Sequence, residues 1–202
     1  MADVTSPIHI CNLALSNLGN TGSVNSIETP TSDLEVYCAL WYDLSRRLAL
    51  KKAQPNFALS RRRVALVDEE APYPFDYVYE YPSDCLKVLG IGAVEDKTNN
   101  YTVEGNRIYT SVEYTDGMPI RFIRDVEDVA TFSPEFVDFL ALVLASKIAL
   151  PVTQDAAKAA ALKQYIPIDL SEVSGLNAQE NMPIRKSISK FMESRITGYA
   201  TR

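Results

Sequence analysis

Residues 133–150 read SPEFVDFLALVLASKIAL. Ser133 followed by Pro134 is a helix start. The serine hydroxyl accepts from an otherwise orphaned amide in the first turn, and proline, lacking an N–H, fits the first helical position. Behind them Phe136, Val137, Phe139, Leu140, Leu142, Val143, Leu144, Ile148 and Leu150 cover nearly the whole circumference of a helix. A helix that is apolar all round belongs inside a fold. This one is therefore expected to be the most buried element, with the others arranged about it.

Two helices precede it near the N-terminus. Ser6-Pro7 repeats the Ser-Pro start, Ile8, Cys11, Leu15 and Leu18 form a stripe, and Gly19 is a stop. Ser32 with Glu35 three residues on is a capping-box pattern. Leu34, Tyr37, Cys38, Trp41, Ser45, Leu48 and Ala49 then share one face of a helix that should run to about Gln54, before Pro55. After the apolar helix, Thr153 is the expected cap of an alanine-rich helix (Ala156, Ala157, Ala159, Ala160, Ala161). Pro167 should kink or split that helix, leaving a last stretch from Asp169 to about Ala178.

Between these groups the periodicity changes at about Ala71. Tyr77-Val78-Tyr79-Glu80-Tyr81 alternates, Leu86 to Val94 is apolar and strand-like, and Glu104-Gly105-Asn106 separates Tyr101-Thr102-Val103 from Arg107-Ile108-Tyr109-Thr110 as a hairpin turn. Asp116-Gly117 marks another turn before Ile120 to Ile123. The expected fold class is mainly α with a β insert (α+β). An antiparallel helical bundle (residues 1–70 and 131–178) would carry an inserted antiparallel β-rich module (71–130) and an extended C-terminal tail (179–202). The rings of Tyr77, Tyr79 and Tyr81 project to one side of their strand. That placement suits packing within the module, stacking of single-stranded nucleic acid, or a subunit contact.

The chain has 202 residues, 47% hydrophobic and 23% charged, with net charge −6. These values allow a substantial core and argue against a general nucleic-acid coat, which is normally basic. Cys11, Cys38 and Cys85 are odd in number and widely spaced, so a disulfide framework or zinc site is not expected. Asp3, Ser6, Pro7 and His9 interrupt any N-terminal apolar segment, and no 18-residue apolar span is read. The expectation is a soluble chain with no membrane partner. Motifs of catalysis are sparse. His9 is the only histidine, Leu18-Gly19-Asn20-Thr21-Gly22 lacks the strand and lysine of a phosphate loop, and no cofactor is implied. Asp125, Glu127 and Asp128 cluster before the apolar helix. Such acids suit either cleavage of a glycosidic bond, as in a peptidoglycan hydrolase, or a plain favourable charge near a helix start. The expectation is no enzyme, with the wall-degrading activity as the alternative.

Two basic features stand out on this acidic chain. Arg46, Arg47, Lys51, Lys52, Arg61, Arg62 and Arg63 make seven of its twenty basic residues. They read as a solvated helix end or as a surface contacting DNA or a neighbouring subunit. From Gly175 onward, five basic and two acidic residues give +3. There Ile184, Ile188, Phe191, Met192, Ile196 and Tyr199 recur at helical spacing, with Arg185, Lys186, Lys190 and Arg195 between them. A basic, one-sided helix on an acidic body suits docking onto another protein.

Several segments together resemble one family. Ile10-Cys11-Asn12-Leu13-Ala14-Leu15 with Leu18-Gly19 is similar to its opening helix. Tyr42-Asp43, the basic run and Phe57-Ala58 resemble its second helix and exit. The stretch from Tyr79 to Leu89, and Tyr101-Thr102-Val103-Glu104-Gly105-Asn106, match its β module. Pro134-Glu135-Phe136 through Ala145-Ser146-Lys147-Ile148-Ala149 resembles its buried helix, and Asn177-Ala178-Gln179-Glu180-Asn181 the end of its last long helix. Pro167 departs from the pattern, falling inside that long helix. The family is the head-to-tail adaptor, or tail tubular protein A, of short-tailed bacteriophages. The resemblance implies a virion protein at the head-tail interface, assembled in the host cytoplasm into a twelve-membered ring below the portal. Its partners would be the portal protein, the tail nozzle protein, tail fibres or spikes, neighbouring copies of itself, and DNA passing through the channel without sequence specificity. It also implies that the C-terminal tail, with Ile184, Ile188, Phe191 and Ile196 as anchors, docks on the portal.

Overall fold

The computed structural model describes residues 6–92 and 101–179, and the fold is mixed helix and sheet, α+β. The elements are α1 (Pro7–Asn17), α2 (Asp33–Ala53), β1 (Leu59–Val64), β2 (Tyr77–Glu80), β3 (Cys85–Ile91), β4 (Tyr101–Glu104), β5 (Arg107–Thr110), β6 (Met118–Arg124), α3 (Pro134–Thr153) and α4 (Ala156–Gln179).

Local chemistry sets the helix starts. The Ser6 hydroxyl accepts from the His9 amide, and the Ser133 hydroxyl from the Phe136 amide. Ser32 and Glu35 form a complete capping box. Glu35 does more than cap. Its carboxylate accepts from the Thr31 amide (2.6 Å) and hydroxyl (2.9 Å), and from the amides of Asn25 (3.0 Å), Ser26 (3.3 Å) and Ser32 (3.2 Å). The loop before α2 is thereby wrapped around one carboxylate. Asn12 of α1 pins the same loop from the other side, donating to the Val24 carbonyl and accepting from the Val24 amide.

Helix α3 is the centre of the helical layer, packed by α1, α2 and α4. Phe136, Phe139, Leu140, Leu144, Ala145, Ile148 and Ala149 are sealed from solvent or nearly so. Phe57, just after α2, stacks on Phe132 (5.4 Å) and meets Phe136 edge-on (5.1 Å), fastening the exit of α2 to the start of α3. By length and composition α3 is also apolar enough to cross a membrane, with 67% of its apolar stretch buried inside the protein. This corrects the expectation of no such span. Asp138 and Lys147 interrupt this stretch, yet as a whole it stays apolar.

The alanine-rich helix departs from expectation twice. Thr153 belongs to α3, where its hydroxyl donates to the Ala149 carbonyl. The cap of α4 is Asp155, which accepts from the Ala157 and Lys158 amides at 2.9 and 3.1 Å. Pro167 does not split α4, which continues through it to Gln179. Lys158 ties α4 to α1 by donating to the Leu18 carbonyl. Cys11 and Cys38, far apart in sequence, are neighbours between α1 and α2. Their mutual hydrogen bond, then burial, pushes the Cys11 thiol upward.

The strands form two antiparallel sheets, ordered β1-β6-β3 and β2-β5-β4. Extended chain begins at Leu59, well before Ala71. Gln54 takes a left-handed conformation (φ 49°) that ends α2, and one tight turn, Asn56–Ala58, redirects the chain. Arg61, Arg62 and Arg63 are therefore strand residues, not a helix end. Neighbouring residues of β6 serve two cores: Ile123 joins the helical one, Phe122 the one between the sheets. Tyr77, Tyr79 and Tyr81 all contribute to this second core. The Tyr79 hydroxyl accepts from the Tyr114 amide at 2.8 Å, so these rings are engaged internally.

Five donors converging on Glu35, the Thr31 amide foremost and the Asn25 amide next, hold its carboxyl well below the usual range, at about 2. Its stabilisation is present above the ordinary carboxylate pKa and lost as pH falls through the folded value. Glu35→Gln should lower the thermal midpoint at pH 7. The gap between variant and wild type should narrow below about pH 4 and close near pH 2. Melting curves followed by circular dichroism across that range check this, and a pH-independent gap would contradict it.

Candidate interaction surface

The seven basic residues between Arg46 and Arg63 do not form one patch. Arg46 is buried on α2, 2% exposed, because Ser45, Ala49 and their neighbours face the core there. Its guanidinium donates to the Asp125 carboxylate and to the Val126 carbonyl (2.6 Å), with Asp43 at 3.7 Å and Glu127 at 3.8 Å. Arg47 takes the other Asp125 oxygen at 2.8 Å. Asp125 is thus shared by two arginines. Asp128 accepts from the Ala130 amide and caps the turn Val129–Thr131. The cluster Asp125, Glu127 and Asp128 is accounted for by an ion-pair knot and a cap.

Arg62 lies on the inner face of β1. Its guanidinium grips the two Asp84 carboxylate oxygens at 3.2 and 3.0 Å and rests 5.5 Å over the Phe122 ring. Arg63 donates to the carbonyls of Asp116 and Gly117, both 3.3 Å. Lys51 and Lys52 are exposed in the last turn of α2, where cations favour the helix dipole. Arg61 is different. It is exposed and sits directly opposite Arg121 of β6. Sequence reading passed over Arg121. The alternation Ile120-Arg121-Phe122 signals that it faces away from its apolar neighbours, but nothing local signals that a second arginine lies across from it.

The helices leave apolar side chains outside as well. On α2, Val36, Leu40 and Leu44 are 47, 66 and 53% exposed at spacings of four. On α4, Tyr165, Ile168 and Leu176 are 56, 55 and 44% exposed. A cleft of about 410 Å³ lies where α4 nears its end, lined by Phe57, Phe132, Val173, Leu176 and Asn177. Asn56 spans it, donating to the Asn177 carbonyl at 2.9 Å. Among the described residues no His, Cys, Asp and Glu cluster has the makings of a metal site. The tail residues Ile184, Arg185, Lys186, Ile188, Lys190, Phe191, Met192, Arg195, Ile196 and Tyr199 lie outside the described residues. No protein-family model matches the chain, and no curated protein matches it.

Removing Arg46 strands the Asp125 carboxylate, only 15% exposed, with Arg47 alone. Arg46→Ala should cost about 3 kcal/mol of stability, as for a broken buried ion pair. Urea unfolding measures it, and a loss below about 1 kcal/mol, typical of a surface pair, would contradict the buried assignment. Arg121→Thr should do the reverse, raising stability by a few tenths of a kcal/mol by relieving a like-charge cross-strand pair and adding a β-branched residue. The same titration checks it, with destabilisation as the contrary result.

Proposed function

We propose that this chain is a non-enzymatic structural protein, the head-to-tail adaptor of a short-tailed bacteriophage. In this reading its helices form the bundle, its sheets the projecting module, and its residues 179–202 the docking tail. It forms a ring below the portal, extends the DNA channel, and presents a surface to the nozzle protein and to fibres or spikes. The observation that carries the reading is the pair of apolar stripes on two different helices, Val36-Leu40-Leu44 on α2 and Tyr165-Ile168-Leu176 on α4. Exposed apolar side chains recurring on one helix face suit protein contacts. A ring subunit needs two unlike faces, one for each neighbour. Two unlike faces on separate helices supply that requirement.

Charge supports the same reading. A body that is acidic, with Arg46, Arg47, Arg62 and Arg107 bound to its own carboxylates, does not hold DNA tightly. A channel wall that lets DNA slide needs that property. The basic tail then distinguishes one end of the chain from the rest and directs it to an acidic or apolar partner. Ile184, Ile188, Phe191 and Ile196 would enter a groove on the portal in the manner of a helix anchored every turn.

Deleting residues 183–202 should leave the thermal midpoint and circular dichroism of the body unchanged while abolishing co-sedimentation with the portal protein of the same genome. A truncated chain that still binds the portal as tightly as the full chain would overturn the role given to the tail. A full chain that does not bind it would overturn the adaptor reading.

A further inference from the structure

The face of the β1-β6-β3 sheet that turns toward the helices is covered only in part. Leu59 and Ile123 face each other at the covered end and join the helical core. The next row on that face is Arg61, Arg121 and Gly90, and beyond it lie Arg63 and Pro119. This row is open: a side chain added at Gly90 would meet nothing within 4 Å. Two arginines thus stand in register across the strands on this face, Arg61 exposed and Arg121 half-buried, an arrangement that costs stability. Among the described residues neither has a carboxylate partner. Arg46, Arg47, Arg62 and Arg107 all do. Together with Arg63, whose charge meets only carbonyls, they make a flat site carrying three positive charges.

An opposite site lies on the helices. Asp138 of α3 and Asp169 of α4 line one cleft of about 200 Å³, with the exposed Tyr165 at its side. Glu172 stands one turn further along α4. Burial, then the charges of Asp138 and Glu172, pushes the Asp169 carboxyl upward. Among the described residues no lysine or arginine pairs with these three acids. Each site is repulsive within itself, and each has what the other lacks.

A nucleic-acid backbone fits the arginines less well. Polyanion binding typically neutralises many phosphates, about 6–10 for an ordinary binding protein, and the chain's net −6 repels DNA at range. Three charges match three carboxylates. We propose that the Arg61–Arg121 row, with Arg63, of one copy seats on the Asp138–Asp169–Glu172 cluster of a neighbouring copy. The inference rests on the ring reading above and specifies its subunit contact. Because the two sites are different surfaces, the contact can repeat head to tail, and that repetition builds a ring or a filament. Exposed ion pairs are individually weak. The contact is therefore transient between free subunits, sensitive to salt, and consolidated when the apolar stripe around Tyr165 and Ile168 is covered too.

Cysteine trapping detects such a transient contact. Gly90→Cys adds a thiol to the arginine row without removing an arginine, Tyr165→Cys adds one beside the acidic cleft, and the native cysteines are buried. Equal amounts of the two variants, mixed in low salt and oxidised with diamide, should give mixed disulfide dimers well above the random proportion. The excess should vanish near 1 M salt, where screening reaches about 3 Å. It should also vanish when Arg61→Ser and Arg121→Ser are added to the Gly90→Cys chain, whose melting curve confirms that it is folded. Random pairing, or an excess indifferent to these arginines, overturns the proposal. So does random pairing together with retention of duplex DNA that depends on the two arginines, which would assign the row to nucleic acid. A chain that co-sediments with the portal yet cross-links at random refutes this contact alone and leaves the adaptor reading standing.

Discussion

The guanidinium of Arg46 joins the two halves of this fold. It is buried on α2, and its partners, the Asp125 carboxylate and the Val126 carbonyl, lie on the few residues between the last strand and the apolar helix α3. A buried charge costs several kcal/mol unless it is fully paired. That cost is met only when β6 leaves the sheet at this point and α3 begins beside α2. Asp125 is held again by Arg47, and its own amide donates to the Asp84 carbonyl ahead of β3. One ion-pair knot therefore sets where the sheet meets the helices. The aromatic contact of Phe57 with Phe132 and Phe136 repeats the connection a few residues away.

With that junction set, coverage decides which surfaces remain. Helix α3 is too apolar to face water and takes α1, α2 and α4 around it. The outward stripes of α2 and α4 are left over, since each helix has only one face to give. The helical layer also stops partway across the β1-β6-β3 sheet, at Leu59 and Ile123. Beyond that edge the same face carries arginine, because an uncovered sheet face must be polar to stay soluble. The exposed apolar stripes and the arginine row are what the core packing did not consume.

Much of this was legible in the residues. Helix starts are local chemistry, so Ser6, Ser32 with Glu35, and Ser133 announced three of the four helices. The Gly105-Asn106 turn announced the hairpin of β4 and β5 in the same way. The cap of α4 was misplaced by two residues because Thr153 and Asp155 offer equivalent oxygens, and only the bond from Thr153 to the Ala149 carbonyl decides between them. Strand β1 was missed because three successive arginines carry no strand propensity; their extended form comes from pairing with β6. Long-range partnerships left no local trace at all. Arg46 meets Asp125 across 79 positions, and the facing of Arg61 and Arg121 depends on strand register. Hence a run read as one basic patch divides into a buried knot, an Asp84 clamp and an unpaired row.

In the adaptor role proposed above, this chain would work through surfaces that join it to other proteins of a virion. Electron microscopy of the purified full-length protein mixed with the portal protein of its own genome tests that most directly. The expected result is a second ring of density stacked coaxially on the portal, one copy of the chain against each portal subunit. Portal particles that stay bare at saturating concentrations of the chain would contradict it.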